Sequence, residues 1–164
     1  MISEKTQAAL NTQINFEQYS AQLYIAMSAH CEGLGFKGFA NWMRVQAGEE
    51  TAHAMKLIDF LLDRKGRLEL KPIAAPPSDF GNVIEVFEES LAHEEGVSKK
   101  INALFELARA EKDYASEIQL QWYVTEQVEE EANFGQVLDH LKAVGLQGGG
   151  IWYLDSRMGK RGEK

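Results

Sequence analysis

A glutamate and a histidine three residues apart, Glu50 and His53, are the side chains of this sequence best placed to do chemistry together. A helix turns about 100° per residue, so both project from one face and can hold the same ion. The same spacing also occurs as a solvated pair with no role. A metal-ligand interpretation is favoured here because both residues belong to a stripe at steps of three and four, typical of a buried helix face. That stripe is Phe39, Trp42, Gln46, Glu50, His53, Leu57 and Phe60.

Four long amphipathic segments must position these groups, and each has the apolar spacing of a bundle helix. The expected helices span about 4–31, 36–65, 79–110 and 114–145, with Ser3, Ser78 or Asp79, and Asp113 as caps of the first, third and fourth, and Gly145 at the end of the fourth. Polar groups interrupt the other three stripes at mid-length. They are Glu17 in the first, Glu94 in the third, and Gln127 and Glu130 in the fourth.

Residues 66–79 separate the second and third predicted helices and contain all three prolines, so they form no long helix. About 14 extended residues reach about 45 Å, and a helix of about 28 residues is about 42 Å long. The segment can therefore return the chain to the opposite end of a bundle. The sequence thus predicts an all-α fold, a four-helix bundle at about 4–145 with one long crossover.

The polar interruptions lie at one height in such a bundle. Glu17 lies about as far before the first turn as Glu50 and His53 lie after it. Glu94 and Glu130 are likewise level about the second turn. If the two hairpins pack with their midpoints aligned, these groups converge, and buried carboxylates cannot be ionised there without cations. Oxygen-rich ligation with one imidazole suits iron better than a closed structural zinc site.

Length and composition limit the other possibilities. A chain of 164 residues predicts a single domain, 1–164, with a core of its own. Its 25 acidic and 17 basic residues give a net charge of -8, which argues against nucleic-acid binding and favours attraction of cations, although acidity for solubility explains it equally well. With no long apolar run and no leader pattern, we expect no membrane span or signal peptide, and a cytoplasmic protein. The single Cys31 is expected to fill core volume.

Five stretches carry a family resemblance through their order and spacing. They are 16–24 (FEQYSAQLY), 38–43 (GFANWM), 49–56 (EETAHAMK), 93–95 (HEE) and 122–131 (WYVTEQVEEE). Together they resemble the bacterial non-haem ferritins, and the likeness runs from about Ser3 to about Gly159. The resemblance therefore implies a specific fold, ligand set and activity, beyond what the spacing of the residues predicts.

The resemblance implies a ferroxidase centre with two neighbouring iron sites, and a third, transit site of the kind that prokaryotic members have. It also implies a tyrosine beside the centre and a glutamine amide outside the ligands. By position in this sequence, the first iron falls to Glu17, Glu50 and His53, the second to Glu50, Glu94 and Glu130, and the third to Glu49, Glu126, Glu129 and Glu130, while the neighbouring groups are Tyr24 and Gln127.

The activity implied by the resemblance is oxidation of Fe(II) by dioxygen or peroxide, followed by storage of Fe(III) as a hydrous oxide. The resemblance also implies a hollow shell of 24 identical subunits and a short C-terminal fifth helix at about 149–159 that helps to line a channel. Iron is then the substrate, and neither nucleic acid nor a membrane is a partner. Bacterioferritins resemble one another in a haem-ligating methionine directly after the bridging glutamate, whereas this chain has Thr51, so we expect no haem.

Two alternatives to this interpretation differ from it in class. A structural bundle can use a buried polar layer to fix its register, but one or two polar groups are enough for that. A di-iron oxygenase is disfavoured because Gln127 and Glu130 stand where symmetric di-iron bundles repeat Glu-x-x-His. In addition, nothing in the sequence marks a pocket for an organic substrate.

Some other residues have expected roles of their own. Trp122 is either a packing group or an electron donor to the centre. Glu129 could equally belong to a solvated acidic run that continues to Glu131. We expect the remaining singled-out residues to be structural: Met55 in the core, His30, His93 and His140 at the surface or at caps, and Arg157, Lys160, Arg161 and Lys164 in a solvated basic tail.

Overall fold

The computed structural model describes residues 2–162, and every regular element within them is an α-helix. The predicted all-α fold is therefore confirmed. The helices are α1 (Glu4–Gly33), α2 (Lys37–Asp63), α3 (Val83–Ala110), α4 (Tyr114–Val144) and α5 (Gly149–Met158). Within residues 2–162, no helix combines the length and the hydropathy that a membrane span requires.

Side-chain caps fix where the helices begin. Ser3 accepts a hydrogen bond from the Thr6 amide, and Asp113 accepts one from the Ser116 amide, as the sequence predicts. The expected cap of α3 at Ser78 or Asp79 is wrong. Asn82 is the cap instead, because it forms a reciprocal capping box with Glu85.

The crossover between α2 and α3 runs along α1. The side chain of Asn11 donates to the carbonyl of Arg67 (2.9 Å) and accepts from the amide of Glu69 (2.8 Å). Farther along, the ring of His30 is hydrogen-bonded to the carbonyl of Gly81 (2.6 Å). Residues farther along the crossover thus contact residues farther along α1, so the crossover runs parallel to α1. It returns the chain to the end of the bundle where α2 begins, and α3 therefore points in the same direction as α2.

The buried stripes of the helices form two apolar clusters with a polar layer between them. One cluster is built around Tyr24, Phe39, Phe87 and Phe134 and includes Cys31, which fills core volume as expected. The other lies at the opposite end of the bundle. Its members include Leu10, Ile14, Leu57, Ile101, Leu120 and Tyr123. The predicted stripe of α2 is buried apart from Phe60, which is half-buried.

Helix α5 docks against the start of α2. The carboxylate of Asp155 accepts a hydrogen bond from the Phe39 amide (2.8 Å), so α5 supplies the cap that α2 lacks in its own sequence. A side chain at Gly38 would place its Cβ 1.6 Å from the Asp155 carbonyl oxygen. Only glycine allows this approach, which also directs the residues after α5 back towards α2.

Candidate metal centre

A layer of acidic side chains and one histidine crosses the bundle at mid-height. We call these five residues, each with 5% or less of its surface exposed, the inner layer: Glu17 on α1, Glu50 and His53 on α2, Glu94 on α3, and Glu130 on α4. Each occupies a position in the buried stripe of its helix, so the packing that buries the apolar neighbours also buries the acids. The convergence that the helix spacing predicts is present in the structure.

Glu17, Glu50 and His53 offer ligand atoms that all lie within 4.8 Å of one another. His53 Nδ1 is 3.5 Å from Glu50 Oε2. One oxygen of Glu17 accepts a hydrogen bond from Gln13 (2.7 Å), whereas Oε2 is buried, accepts no hydrogen bond from residues 2–162, and belongs to a carboxyl group that neighbours that of Glu50. A buried oxygen without a partner is costly, and a bound cation would satisfy it.

A second group of possible ligands shares the same histidine. His53, Glu126 and Glu130 also bring ligand atoms within 4.8 Å of one another, and His53 Nε2 is 3.9 Å from Glu126 Oε1. Glu126 is only half-buried, so this group reaches from the inner layer towards the protein surface. The two nitrogens of one imidazole therefore face two different sets of carboxylates.

Glu94 belongs to neither group, and hydrogen bonds hold both of its oxygens. Oε1 accepts from the Tyr24 hydroxyl, and Oε2 accepts from the Gln127 amide (3.0 Å). Gln127 also approaches the backbone carbonyl of Glu94 (3.3 Å). The predicted neighbours Tyr24 and Gln127 thus meet at one member of the inner layer and orient its carboxylate.

Gln46 was expected in the buried stripe of α2, but its position in the sequence indicated no further role. The Gln46 amide nitrogen donates to Glu50 Oε1 (2.9 Å) and to Glu130 Oε2 (2.9 Å), so it joins two carboxylates from different helices. A buried amide one turn before Glu50 was the available signal. Because an amide has two N–H groups, it can orient two acids at once.

Burial dominates the electrostatics of the inner layer. It raises the pKa values of Glu17, Glu50 and Glu94 above their ordinary values, and repulsion between neighbouring acids adds to the effect at the first two. Burial, followed by repulsion from Glu94, raises the pKa of Glu130 to about 7. Without a metal these acids therefore hold their protons to a higher pH than exposed glutamates do, and a divalent cation would compete with those protons.

Three further acids were expected to form a third site, and we call them the outer acids: Glu49, Glu126 and Glu129. The structure does not bring them together. Glu126 lies near His53 and Glu130, whereas Glu129 is exposed. Glu49 instead accepts a hydrogen bond from Arg161 (2.5 Å).

The expectation of a solvated basic tail is consequently wrong for Arg161, whose side chain is only 18% exposed because the segment after α5 folds over α2. Arg157 and Lys160 are exposed as expected, and Lys164 lies outside the described residues. His93, which was expected at the surface or at a cap, is half-buried. Its ring stacks on Phe16 and is hydrogen-bonded to Ser20 (2.8 Å) where α1 packs against α3.

Aromatic rings surround His53 on the α4 side. The Tyr123 hydroxyl donates to the His53 carbonyl (2.8 Å), and the Trp122 ring meets the imidazole edge-on with 5.4 Å between ring centres. Trp122 is about one-third exposed, and the Lys56 ammonium lies 3.2 Å from the centre of its ring. Trp122 therefore packs against the layer, and it lies close to one of the candidate ligands.

Comparison with known proteins agrees with this geometry. Residues 7–144 match the family model described as a ferritin-like domain. The chain is 44% identical to a bacterial non-heme ferritin of Bacteroides fragilis over 98% of this chain and 100% of the relative, and 37% identical to one of Staphylococcus aureus over 98% and 97%. The open pore ferritin of Archaeoglobus fulgidus superimposes with a TM-score of 0.97 at 45% identity, covering 98% of this chain and 99% of that one. The chain belongs to the ferritin family.

Proposed function

We propose that this protein stores iron and that its inner layer is a ferroxidase centre, which oxidises Fe(II) with dioxygen. The observation that carries the proposal is the buried, unpartnered oxygen of Glu17 beside Glu50 and His53, in a chain of the ferritin family. A purely structural polar layer would satisfy its own polar atoms, whereas a cation site leaves ligand atoms free for the ion.

In the proposed centre, the first Fe(II) binds Glu17, Glu50 and His53. The second binds Glu94 and Glu130, and Glu50 bridges the two ions. Because burial raises the pKa values of these carboxyl groups, Fe(II) competes with protons for them. Anionic oxygen ligands favour Fe(III) over Fe(II), so the carboxylates promote loss of one electron from each ion. A pair of ions thus supplies the two electrons that, with two protons, reduce dioxygen to hydrogen peroxide.

The neighbouring groups orient the ligands in this proposal. Tyr24 and Gln127 hold the carboxylate of Glu94, and Gln46 holds those of Glu50 and Glu130. Side chains that hold ligands by hydrogen bonds commonly affect metal affinity or activity by about 10–100-fold. Each of these donors keeps its hydrogen bond to the carboxylate when ferric product leaves. The metal-free layer therefore remains ordered between turnovers.

We further propose that the outer acids, together with Glu130, form a third site through which iron passes between the centre and the storage cavity. The proximity of Glu126 to His53 and Glu130 supports this role. The increasing exposure from Glu130 to Glu126 to Glu129 provides a graded path from the buried layer to the surface. Glu49 would have to release Arg161 in order to take part.

The proposed assembly is a hollow shell of 24 copies that encloses the ferric oxide. It is supported by the extent of the match to solved ferritins, which covers 98% of this chain. Large apolar side chains are also exposed on the single chain, and contacts between subunits would bury them. They include Ile25, Met55, Leu62, Leu70, Tyr114, Ile118, Val128, Trp152 and Tyr153. Met55 was expected in the core, but it is 49% exposed and points away from the bundle stripe.

The proposal is tested by comparing Glu50→Ala with Asp59→Ala, an exposed acid on the same helix. Anaerobic Fe(II) titration of the metal-free protein is expected to fill two strong sites per chain, and admission of air is expected to give a fast ultraviolet-visible ferric signal. Glu50→Ala is expected to lose the paired binding and slow the signal at least about 100-fold, because a bridging ligand matters more than the groups that orient it. Asp59→Ala should behave as the wild type.

Equal oxidation rates in Glu50→Ala and the wild type would remove the catalytic assignment. Shell assembly is checked separately by gel filtration and negative-stain imaging. A protein that forms a hollow sphere yet binds no Fe(II) at the inner layer would remain a ferritin in fold and assembly, without this centre.

A further inference from the structure

The residues that follow α5 are folded onto α2. The side-chain amide of Asn41 donates to the carbonyls of Gly159 (3.2 Å) and Arg161 (3.1 Å), so α2 holds this short segment at two points. The segment thereby places one cationic side chain over the helix that carries Glu50 and His53.

The guanidinium of Arg161 makes specific contacts there. It donates to Glu49 Oε2 (2.5 Å), to Gln46 Oε1 (2.8 Å) and to the Trp42 carbonyl (3.3 Å). Its central carbon also lies 3.9 Å from the centre of the Trp42 ring. A planar cation that stacks on an aromatic ring and donates to several acceptors is held in one orientation.

These contacts place a positive charge at the edge of the proposed centre. Gln46, which accepts from Arg161, donates in turn to Glu50 and Glu130. Glu49, the other partner of the guanidinium, is one of the outer acids. The guanidinium therefore binds one oxygen of a carboxylate that a cation in the third site would use.

We propose that Arg161 is a built-in counter-cation for the third iron site, which pairs with Glu49 when no ion is bound there and releases it when iron enters. This inference rests on the proposed function of the outer acids. Two cations that compete for one carboxylate weaken each other by the same factor, so iron in the third site must also loosen Arg161.

There is space for the released side chain. A cleft of about 240 Å³ adjoins Arg161 and is lined by Trp42, Asn133, Gln136, Val137 and Met158. The guanidinium can move into this cleft without unfolding the segment, because Asn41 binds the backbone of the segment and not the arginine side chain. The functional consequence is a third site that stays weaker than the inner pair, so iron passes through it.

The test is anaerobic calorimetric titration of the assembled, metal-free protein with Fe(II), comparing Arg161→Gln with Lys160→Gln. Both variants remove one positive charge from neighbouring positions, but Lys160 is exposed. In Arg161→Gln, the third and weakest ion is expected to bind about tenfold more tightly, since a partly buried ion pair no longer competes for Glu49. The first two ions are expected to bind within about twofold of the wild type, and Lys160→Gln should match the wild type throughout.

Two more variants separate competition from a structural role of Arg161. Arg161→Lys keeps the charge but loses the planar stack on Trp42, so a smaller gain in third-ion affinity is expected. In Glu49→Gln the carboxylate for which the two cations compete is gone. Adding Arg161→Gln to this variant is therefore expected to cause no further change in the affinity for the third ion.

If Arg161→Gln binds the third ion no more tightly than the wild type, while the first two ions bind normally, the inference is overturned. The proposed ferroxidase centre would still stand. If the wild type binds only two ions, a third ion that appears in Arg161→Gln supports the inference, and its continued absence overturns it. A wild type that fails to bind even the inner pair would instead contradict the proposed function.

Discussion

The inner layer and the outer acids contain the same residue type, but they differ in how their charges are satisfied. The inner layer is 5% exposed or less, and one of its oxygens has no partner within residues 2–162. The outer acids lie at or near the surface, where Glu129 is solvated and Glu49 is paired with Arg161. Burial therefore leaves the inner layer dependent on protons or imported cations, whereas water and a local cation suffice for the outer acids.

This difference assigns different chemistry to the two regions. A buried carboxylate that must exchange a proton for a cation binds the cation strongly and at a fixed place. An exposed carboxylate with an alternative partner binds weakly and reversibly. Strong paired sites suit the proposed redox step, and weak sites suit the proposed transport of iron, so we expect mutational effects to drop sharply between the two regions.

The largest contrast is expected between two neighbours on α4, Glu130 and Glu129. We expect Glu130→Gln to slow Fe(II) oxidation about 100-fold, because it removes a proposed ligand of the second iron. Glu129→Gln, with the same chemical change one residue away, is expected to stay within about threefold. Stopped-flow absorbance at two Fe(II) per chain measures both. Similar rates in the two variants would abolish the distinction between the inner layer and the outer acids.

A smaller effect is expected on the stability of the metal-free protein. Glu17→Gln keeps the acceptor for Gln13 and replaces the unpartnered oxygen, so it should raise the free energy of unfolding by about 1–3 kcal/mol. The exposed Glu32 on the same helix supplies the control, since Glu32→Gln is expected to change little. Urea denaturation at pH 8 with a chelator and at fixed protein concentration measures both. A destabilised Glu17→Gln would mean that the carboxylate has a stabilising partner without metal.

The fold and the inner layer could be predicted because burial leaves a periodic trace. Each of the five residues interrupts an apolar stripe, and equal distances from the turns place them level, as the structure has them. The start of α3 was predicted too early, because Ser78 and Asp79 are ordinary caps in sequence. Asn82 and Glu85 compete with them through a reciprocal box, which stabilises the later start.

The surroundings of the outer acids could not be predicted in the same way. Exposed positions carry no periodic constraint, so neither helix spacing nor composition indicates that Arg161 folds back onto Glu49. That contact depends on the docking of α5, which requires the absence of a side chain at Gly38 and the carboxylate of Asp155 as a cap. The role of Gln46 depends likewise on the distance between α2 and α4, which the sequence does not contain.

The smallest expected effect is a difference in how stability depends on pH. In the metal-free protein, burial and the neighbouring Glu94 raise the pKa of Glu130 to about 7, against an ordinary value of 4.5. Stability from its bound proton is fully present below about pH 4.5 and is lost as the pH rises through about 7. Glu130→Gln has no such proton to lose. We therefore expect its stability relative to the wild type to increase by about 1–2 kcal/mol between pH 5 and pH 8.

Comparing Glu130→Gln with the wild type also removes the contribution of His93, which changes stability with pH in the opposite direction. Burial lowers the pKa of His93 to about 4 from 6.5, so its contribution to stability rises with pH between these values, but it is present in both chains. Thermal unfolding with a chelator at several pH values and one protein concentration gives the difference. Parallel stability curves would show that Glu130 is ionised at pH 5 in the folded protein, and a protonated inner layer would then no longer explain how the metal-free bundle tolerates its buried acids.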